Sequence, residues 1–307
     1  MTTQLTAAVS EQPTAVRTAK AHSEPSTPPR SGAGPRKKDR GGTVLRALLW
    51  GLVLTFALVP LVYLVTLAFM PHSEVLAGRI LPERWTLENW PAFWERMPML
   101  AYGANSIFAA VVGSIISLAI ATLVAYAIVR LKTGGGFLPT FVLSAFVAPP
   151  VVAIIPLFFL LRGAGLLNQP LGLALIYGLV NVAVATWLIQ GFIERVPHEL
   201  EEAAQIDGAG PIRTLVQVVL PLLVPGLIAT GIIVLILNYN ELLFALTMSQ
   251  SKQSQTLPVA ISLFQGDRGV QFGQMAAASL TAMLPVYLAA VFMQKWLVGG
   301  LTSGAVK

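Results

Sequence analysis

Six stretches of this chain contain no Asp, Glu, Lys or Arg: 47–73, 97–129, 133–161, 163–193, 214–240 and 269–294. A helical membrane crossing takes about 20 predominantly apolar residues, so each run holds one crossing with some interfacial margin and none holds two. The spacing therefore predicts an all-α integral membrane protein. Its six transmembrane helices lie near 45–70, 101–129, 137–161, 171–193, 218–240 and 274–295. Composition agrees, since 11% charged residues and a mean hydropathy of +0.72 depart from the roughly 25% charge of an average soluble domain. The absence of cysteine excludes a disulfide framework, a thiolate metal site and a cysteine nucleophile.

The nominal charge of +6 belongs mostly to one end. Residues 1–42 are rich in Thr, Ser, Ala, Pro and Gly and lack apolar periodicity. Such a composition buries too little surface to offset ordering entropy, and a disordered basic cytoplasmic tail is expected there, ahead of a membrane domain over 43–307. Arg36, Lys37, Lys38, Arg40 and Arg46 precede the first apolar run, where they favour the anionic cytoplasmic leaflet. No folded binding module accompanies them, so no nucleic-acid partner is expected; membrane lipid is. With both termini inside, cytoplasmic segments hold 14 Lys or Arg against 6 outside, which favours an N-in, C-in arrangement. Without the tail the two sides balance, so the tail carries the orientation signal.

Two regions complicate a simple count. Ala148-Pro149-Pro150 and Pro156 fall inside the third run, and proline removes ladder donors. A broken or re-entrant helix near 147–156 is the alternative to a straight span there. Segment 71–100 carries Trp85, Trp90 and Trp94 among seven charges, the pattern of an interfacial loop or lateral helix with tryptophans at headgroup depth.

What the spans lack also narrows function. Ionisable residues within a bilayer are expensive and usually functional, yet none lies near the centre of any predicted span. This argues against an ion-coupled secondary carrier. No HExxH, GxSxG or paired histidines are present; the histidines are His22, His72 and His198. A membrane enzyme therefore finds no sequence basis. No GxxxxGK[ST] phosphate loop is present either, so the chain has no such ATPase site of its own. Neutral polar groups remain, among them Asn105, Asn181, Asn238, Tyr239 and Asn240, followed by Glu241. These are candidates for a solute path or a subunit contact, while helix-to-helix hydrogen bonding is the plainer alternative.

Between the fourth and fifth runs lies an acid-rich loop, Glu194 to Pro211. Pro197 suits the opening of a helix, Glu199, Glu201 and Glu202 its positive end, and Gly208 a left-handed terminator. Leu200, Ala203 and Ala204 share one face. Pro211 then opens a second helix running to Leu220-Pro221. A cytoplasmic helix-turn-helix with small residues on one face suits docking into a cleft of another protein.

The segment Glu202-Ala203-Ala204, three residues, Gly208, nine residues, Val218, one residue and Leu220-Pro221 resembles the EAA loop of ABC importer permeases, with Val218 where that pattern has Ile. Leu87-Glu88-Asn89-Trp90, Asn105-Ser106, Asn240-Glu241, Thr256-Leu257-Pro258 and Gly300 to Lys307 are similar to carbohydrate importer permeases. The likeness is to the second permease subunit of the maltose and glycerol-phosphate type and covers about 45–307; Tyr239 stands where that family often has Trp. The resemblance implies a prokaryotic cell-membrane protein, half of a translocation path, working with a homologous second permease, two ATP-binding subunits and an external solute-binding protein. It places ATP and Mg on the ATP-binding subunits and no cofactor on this chain. It assigns coupling to those subunits to Glu201, Glu202, Ala203, Ala204, Asp207, Gly208, Leu220 and Pro221. A permease of another ABC importer branch is the alternative.

Overall fold

The computed structural model describes residues 40–266 and 269–302. Most of the expected tail, with His22, Arg36, Lys37 and Lys38, lies outside the described residues, as does the end of the Gly300 to Lys307 match. Residues 40–42, placed in the tail on composition, are instead the first residues of helix α1, Arg40–Ala68. The chain divides into two units at Val53 and Leu54. In the first unit the described side chains of α1 are exposed and, past Arg46, apolar on every side, with Leu48, Trp50 and Leu52 each about two-thirds accessible. A helix apolar all round is one that lipid solvates.

The second unit is nearly all helical. After the end of α1 come α2 (His72–Leu76), α3 (Asn89–Arg96), α4 (Met99–Val129), α5 (Phe137–Val147), α6 (Pro150–Gly163), α7 (Pro170–Val180) and α8 (Val182–Ile193). Then follow α9 (His198–Ile206), α10 (Pro211–Thr214), a π-turn over Leu215–Val219, α11 (Leu220–Tyr239), α12 (Leu243–Met248), α13 (Leu257–Ser262) and α14 (Phe272–Thr302). The all-α expectation needs one small amendment, because Gln265–Gly266 pairs antiparallel with Gly269–Val270. Segment 71–100, expected to hold an interfacial loop or lateral helix, contains α2 and α3, with Trp85 and Trp94 exposed and Trp90 half-buried against Phe69 and Phe93.

Among the described residues, four helices are long and apolar enough to cross a membrane: Leu45–Ala68, Met99–Val129, Pro211–Tyr239 and Phe272–Phe292. The third and fourth apolar runs are not straight spans. Phe137–Val147 and Pro150–Gly163 meet at 94°, and Pro170–Val180 and Val182–Ile193 at 48°; counting each bent pair once gives six. The first bend has a direct cause. Ala148 precedes one proline and Pro149 another, both prolines lack an N–H, and a pre-proline residue is pushed out of the α region. Ala148 and Pro149 accordingly take extended backbone, with ψ of 133° and 123°. Pro156, the other candidate breaker, lies inside α6. The second bend lies at Asn181, at φ −87° and ψ 3°, and nothing in the hydropathy pattern announces it.

Helix α4 is the centre of packing, touching α7, α8, α11 and α13. Its buried side includes Ser106, Ala109, Ala110, Gly113, Ser114, Ser117, Ala121 and Ala125, a stripe of small residues at helical spacing. Lipid gives helices little hydrophobic reason to associate, so close backbone approach through small residues takes over. The opposite side, with Ile107, Val111, Ile115 and Leu123, is apolar and exposed. Contact with α7 is tight: a Cβ at Gly178 would lie 2.7 Å from Ile116 Cγ2, and one at Gly113 2.9 Å from Tyr177 Cβ. The Ser117 hydroxyl donates to the Gly178 carbonyl across the same contact, at 2.7 Å.

Gly178→Val should therefore lower the unfolding midpoint in detergent by several degrees, following an overpacking penalty of about 1–3 kcal/mol. Gly191→Ala, where an added Cβ meets nothing within 4 Å, should leave the midpoint unchanged or raise it slightly. A thermal scan of both variants checks the pair.

Candidate functional site

The loop between α8 and α11 is built by its sequence into a rigid corner. Helix α9 opens after Pro197 and closes at Asp207, and Gly208 follows at φ +82°. The Gly208 N–H donates to the Gln205 carbonyl at 3.0 Å and the Ala209 N–H to the Ala204 carbonyl at 2.9 Å. That pair of bonds is the Schellman closure, which needs a left-handed residue between helix and exit. Pro211 opens α10, and both the N–H and hydroxyl of Thr214 return to the Gly210 carbonyl. The π-turn follows where Leu220 N–H reaches back to the Leu215 carbonyl, immediately before Pro221, whose ring cannot donate to the helical ladder.

The corner has two faces. Glu202, Ala203, Asp207, Gly208 and Pro221 are exposed, and Ala204 and Leu220 are half-buried. Leu200, Ile206, Ile212 and Val216 add exposed apolar surface, Ile206 at 87%. Glu201 lies on the other side at 2% exposure. There Arg130, just past the end of α4, sets Nε 2.6 Å from Glu201 Oε1, an ion contact off the line of a straight hydrogen bond. The Tyr126 hydroxyl donates to Glu201 Oε2 at 3.2 Å. Arg130 Nη2 also donates to the carbonyls of Ile193 and Val196, at 2.8 and 2.5 Å. A buried carboxylate is tolerated only with such partners.

The neutral polar candidates separate into three places. Asn181 donates through Nδ2 to Asn238 Oδ1 at 2.7 Å, and Asn238 donates to Ser114 Oγ at 3.0 Å, which joins the bend of α7 and α8 to α11 and α4. Asn105 instead donates to the carbonyls of Gln253 and Gln255 at 2.8 and 3.0 Å, holding the segment before α13. Tyr239 is buried and donates to the Ala282 carbonyl at 2.9 Å. Asn240 is exposed and, with Ser279, Met283 and Tyr287, lines a cavity of about 620 Å³. Glu241 accepts from the Phe244 and Ala245 N–H groups at the start of α12. Burial pushes its carboxyl above the usual carboxylate range, against the opposing pull of those backbone donors.

A second cavity, of about 640 Å³, lies between the two bends and is lined by Phe146, Ala148, Pro149, Pro150, Asn181 and Val182. Sequence reasoning missed three residues of consequence. Arg130 directly follows an apolar run and Tyr126 lies within it, neither in a motif, and Asn168 stands between Gly165 and Pro170 among turn-forming residues. Asn168, at φ +60°, accepts through Oδ1 from the N–H groups of Gln250 and Ser251. One signal for Arg130 is present: a basic and an acidic loop on the same side of the predicted topology carry complementary charge.

A family model described as the binding-protein-dependent transport system inner membrane component matches residues 135–303. The trehalose/maltose transport system permease protein MalG of Thermococcus litoralis is 32% identical over 86% of this chain and 95% of its own length. The trehalose transport system permease protein SugB of Mycobacterium tuberculosis is 32% identical, with 85% and 98% covered. The diacetylchitobiose uptake system permease protein DasC of Streptomyces coelicolor is 33% identical, with 81% and 91% covered. Among solved structures, a chain of a bacterial ABC transporter involved in the import of the acidic polysaccharide alginate shares the fold. It has a TM-score of 0.67 at 24% identity and covers 84% of this chain and 97% of that one.

The Asn181–Asn238 bond ties the bend between α7 and α8 to α11 through amides alone. A double-mutant cycle with Asn181→Ala and Asn238→Ala, read by unfolding in mixed micelles, should give a coupling of about 0.5–1.5 kcal/mol, in the range measured for polar pairs in membrane proteins. Additive losses would mean that the amides act separately.

Proposed function

The chain belongs to the binding-protein-dependent transport system inner membrane components, and on that footing we propose that it is the permease subunit of an ABC importer, forming half of the translocation path for a carbohydrate. It is a multi-pass membrane transport subunit. Its family works with other permease, ATP-binding and solute-binding components, and the reading assigns this chain one homologous permease, two ATP-binding subunits and an external binding protein. ATP and Mg belong to the ATP-binding subunits. Each bent helix pair is one of six spans, and both termini lie in the cytoplasm of a prokaryotic cell.

The observation that carries this reading is the exposed face of α9 beside the left-handed turn at Gly208. Ala203 offers close backbone approach, Glu202 and Asp207 offer charge, and Ile206 offers an apolar anchor. A rigid corner of this kind transmits a push. Closure of the ATP-binding subunits displaces α9, and the spans convert the displacement into exchange between inward-open and outward-open states, a linkage that is reciprocal in binding energy. Leu220 and Pro221 end the corner at the π-turn. Asn240 and the cavity beside it are the candidate solute-facing surface. Carbohydrate as the solute class rests on relatives named for trehalose, maltose and diacetylchitobiose. Amide and phenol groups also suit hydroxyl-rich solutes without requiring a charge.

Two results test the assignment. Purification of the tagged chain in mild detergent should recover a second permease and an ATPase, identified by mass spectrometry; repeated recovery of the folded chain alone would overturn it. Gly208→Asp should insert normally, since an added Cβ there meets nothing within 4 Å. The left-handed backbone becomes unfavourable by about 1–2 kcal/mol, which loosens the corner. ATP hydrolysis by the complex should continue while solute uptake falls; uptake at the native level would sink the coupling role.

A further inference from the structure

The loop is attached to the rest of the chain in three ways, and they differ in strength. It continues from α8, it continues into α11 through the π-turn, and it is clamped sideways to the end of α4 by Arg130 and Tyr126. The π-turn is a place where the helical ladder is out of register, with Leu220 bonding five residues back and Pro221 unable to donate. The lateral clamp is a closed polar cluster. One guanidinium engages the Glu201 carboxylate and the carbonyls of Ile193 and Val196, with side chains only 7% and 2% exposed. The planar fork of arginine suits several fixed acceptors at once, which a lysine ammonium does not reproduce.

Because α4 is also the helix against which α7, α8 and α11 pack, its attachment decides which span moves with the corner. We propose that Arg130 is a positioning residue for transport: through Glu201 it locks α9 to α4, so that displacement of the corner is delivered first to α4, with the π-turn acting as the compliant joint to α11. The inference rests on the permease assignment, but it concerns side chains outside the exposed face through which that assignment works. A buried ion pair of this kind contributes more to a unique geometry than to net stability.

The chain has no cysteine, so spin labels can be placed by single substitutions without removing native thiols. In the complex purified with its partner subunits, labels at Leu123→Cys on the exposed side of α4 and at Gln205→Cys on α9 report the clamp. Labels at Leu237→Cys on α11 and at Gln205→Cys report the joint. All three positions are exposed. Electron–electron distance measurements, with and without trapping by ATP and vanadate, should show the 123–205 distance unchanged between states while the 237–205 distance shifts. In Arg130→Gln the 123–205 distance should become state-dependent, with ATP hydrolysis kept within about threefold of native, a change of under 1 kcal/mol. Glu201→Gln, isosteric and able to accept from Tyr126, should give the same loss more weakly, and the double variant should be no worse than Arg130→Gln.

Identical 123–205 distributions in both states for Arg130→Gln overturn the clamp. If that variant does not assemble, the same outcome in Glu201→Gln does so. A purely structural role predicts lowered yield with unaltered state dependence, and that result counts against the proposal. Failure of the permease assignment is separately visible, because no ATPase would then accompany the native chain.

Discussion

In a lipid solvent the apolar side chains that drive a soluble core gain little by meeting one another, so packing depends on how closely backbones approach. In the larger unit this constraint falls on α4. Its run from Ser106 to Ala125 keeps Ala, Gly or Ser at nearly every inward position, and the helices that touch it do so through Gly178, Ala174 and Ala185. Larger residues at those places would hold α7 and α8 away, and the hydrogen bonds among Asn181, Asn238 and Ser114 would then be too long to form. The polar cluster depends on the small-residue contact and also fixes its register, since three amide and hydroxyl groups on three elements meet at one depth.

The same solvent explains where irregular backbone is tolerated. Unpaired N–H and C=O groups are costly in hydrocarbon unless they are buried in protein or line a cavity. The two bends, at Ala148-Pro149 and at Asn181, line one cavity together. Asn181 also supplies a donor to the Tyr177 carbonyl at 3.3 Å, in the turn that the bend loosens. The proline pair removes its own donors, so its bend creates fewer groups that need partners. Bends of different chemistry thus converge on one region, where irregular backbone lines a cavity.

How much of this was legible in the sequence follows from which forces act locally. The apolar runs are a direct record of span length, so the helix positions near 47–73, 97–129 and 214–240 could be read at once. The corner was legible because proline and glycine act on their own backbone: Pro197, Gly208 and Pro211 each sit where their φ preference is used. The third span offered a signal, two adjacent prolines, whose consequence depends on whether neighbouring helices can cover the break, and that is a tertiary matter. The bend at Asn181 offered none, because an asparagine in an apolar run reads equally as a polar contact. The candidate path residues grouped by polarity were divided by geometry, with Asn105 holding the segment before α13, Tyr239 and Asn240 lining one cavity and Asn181 another.

Glu201 shows the limit most clearly. In the sequence it is one acid of three in a short helix, and the family resemblance places it among the docking residues. One residue along a helix is a rotation of about 100°, which is the difference between facing out and facing α4. The partner that decides the matter, Arg130, is 71 residues earlier and joined to it only through the packing of α4 on α8.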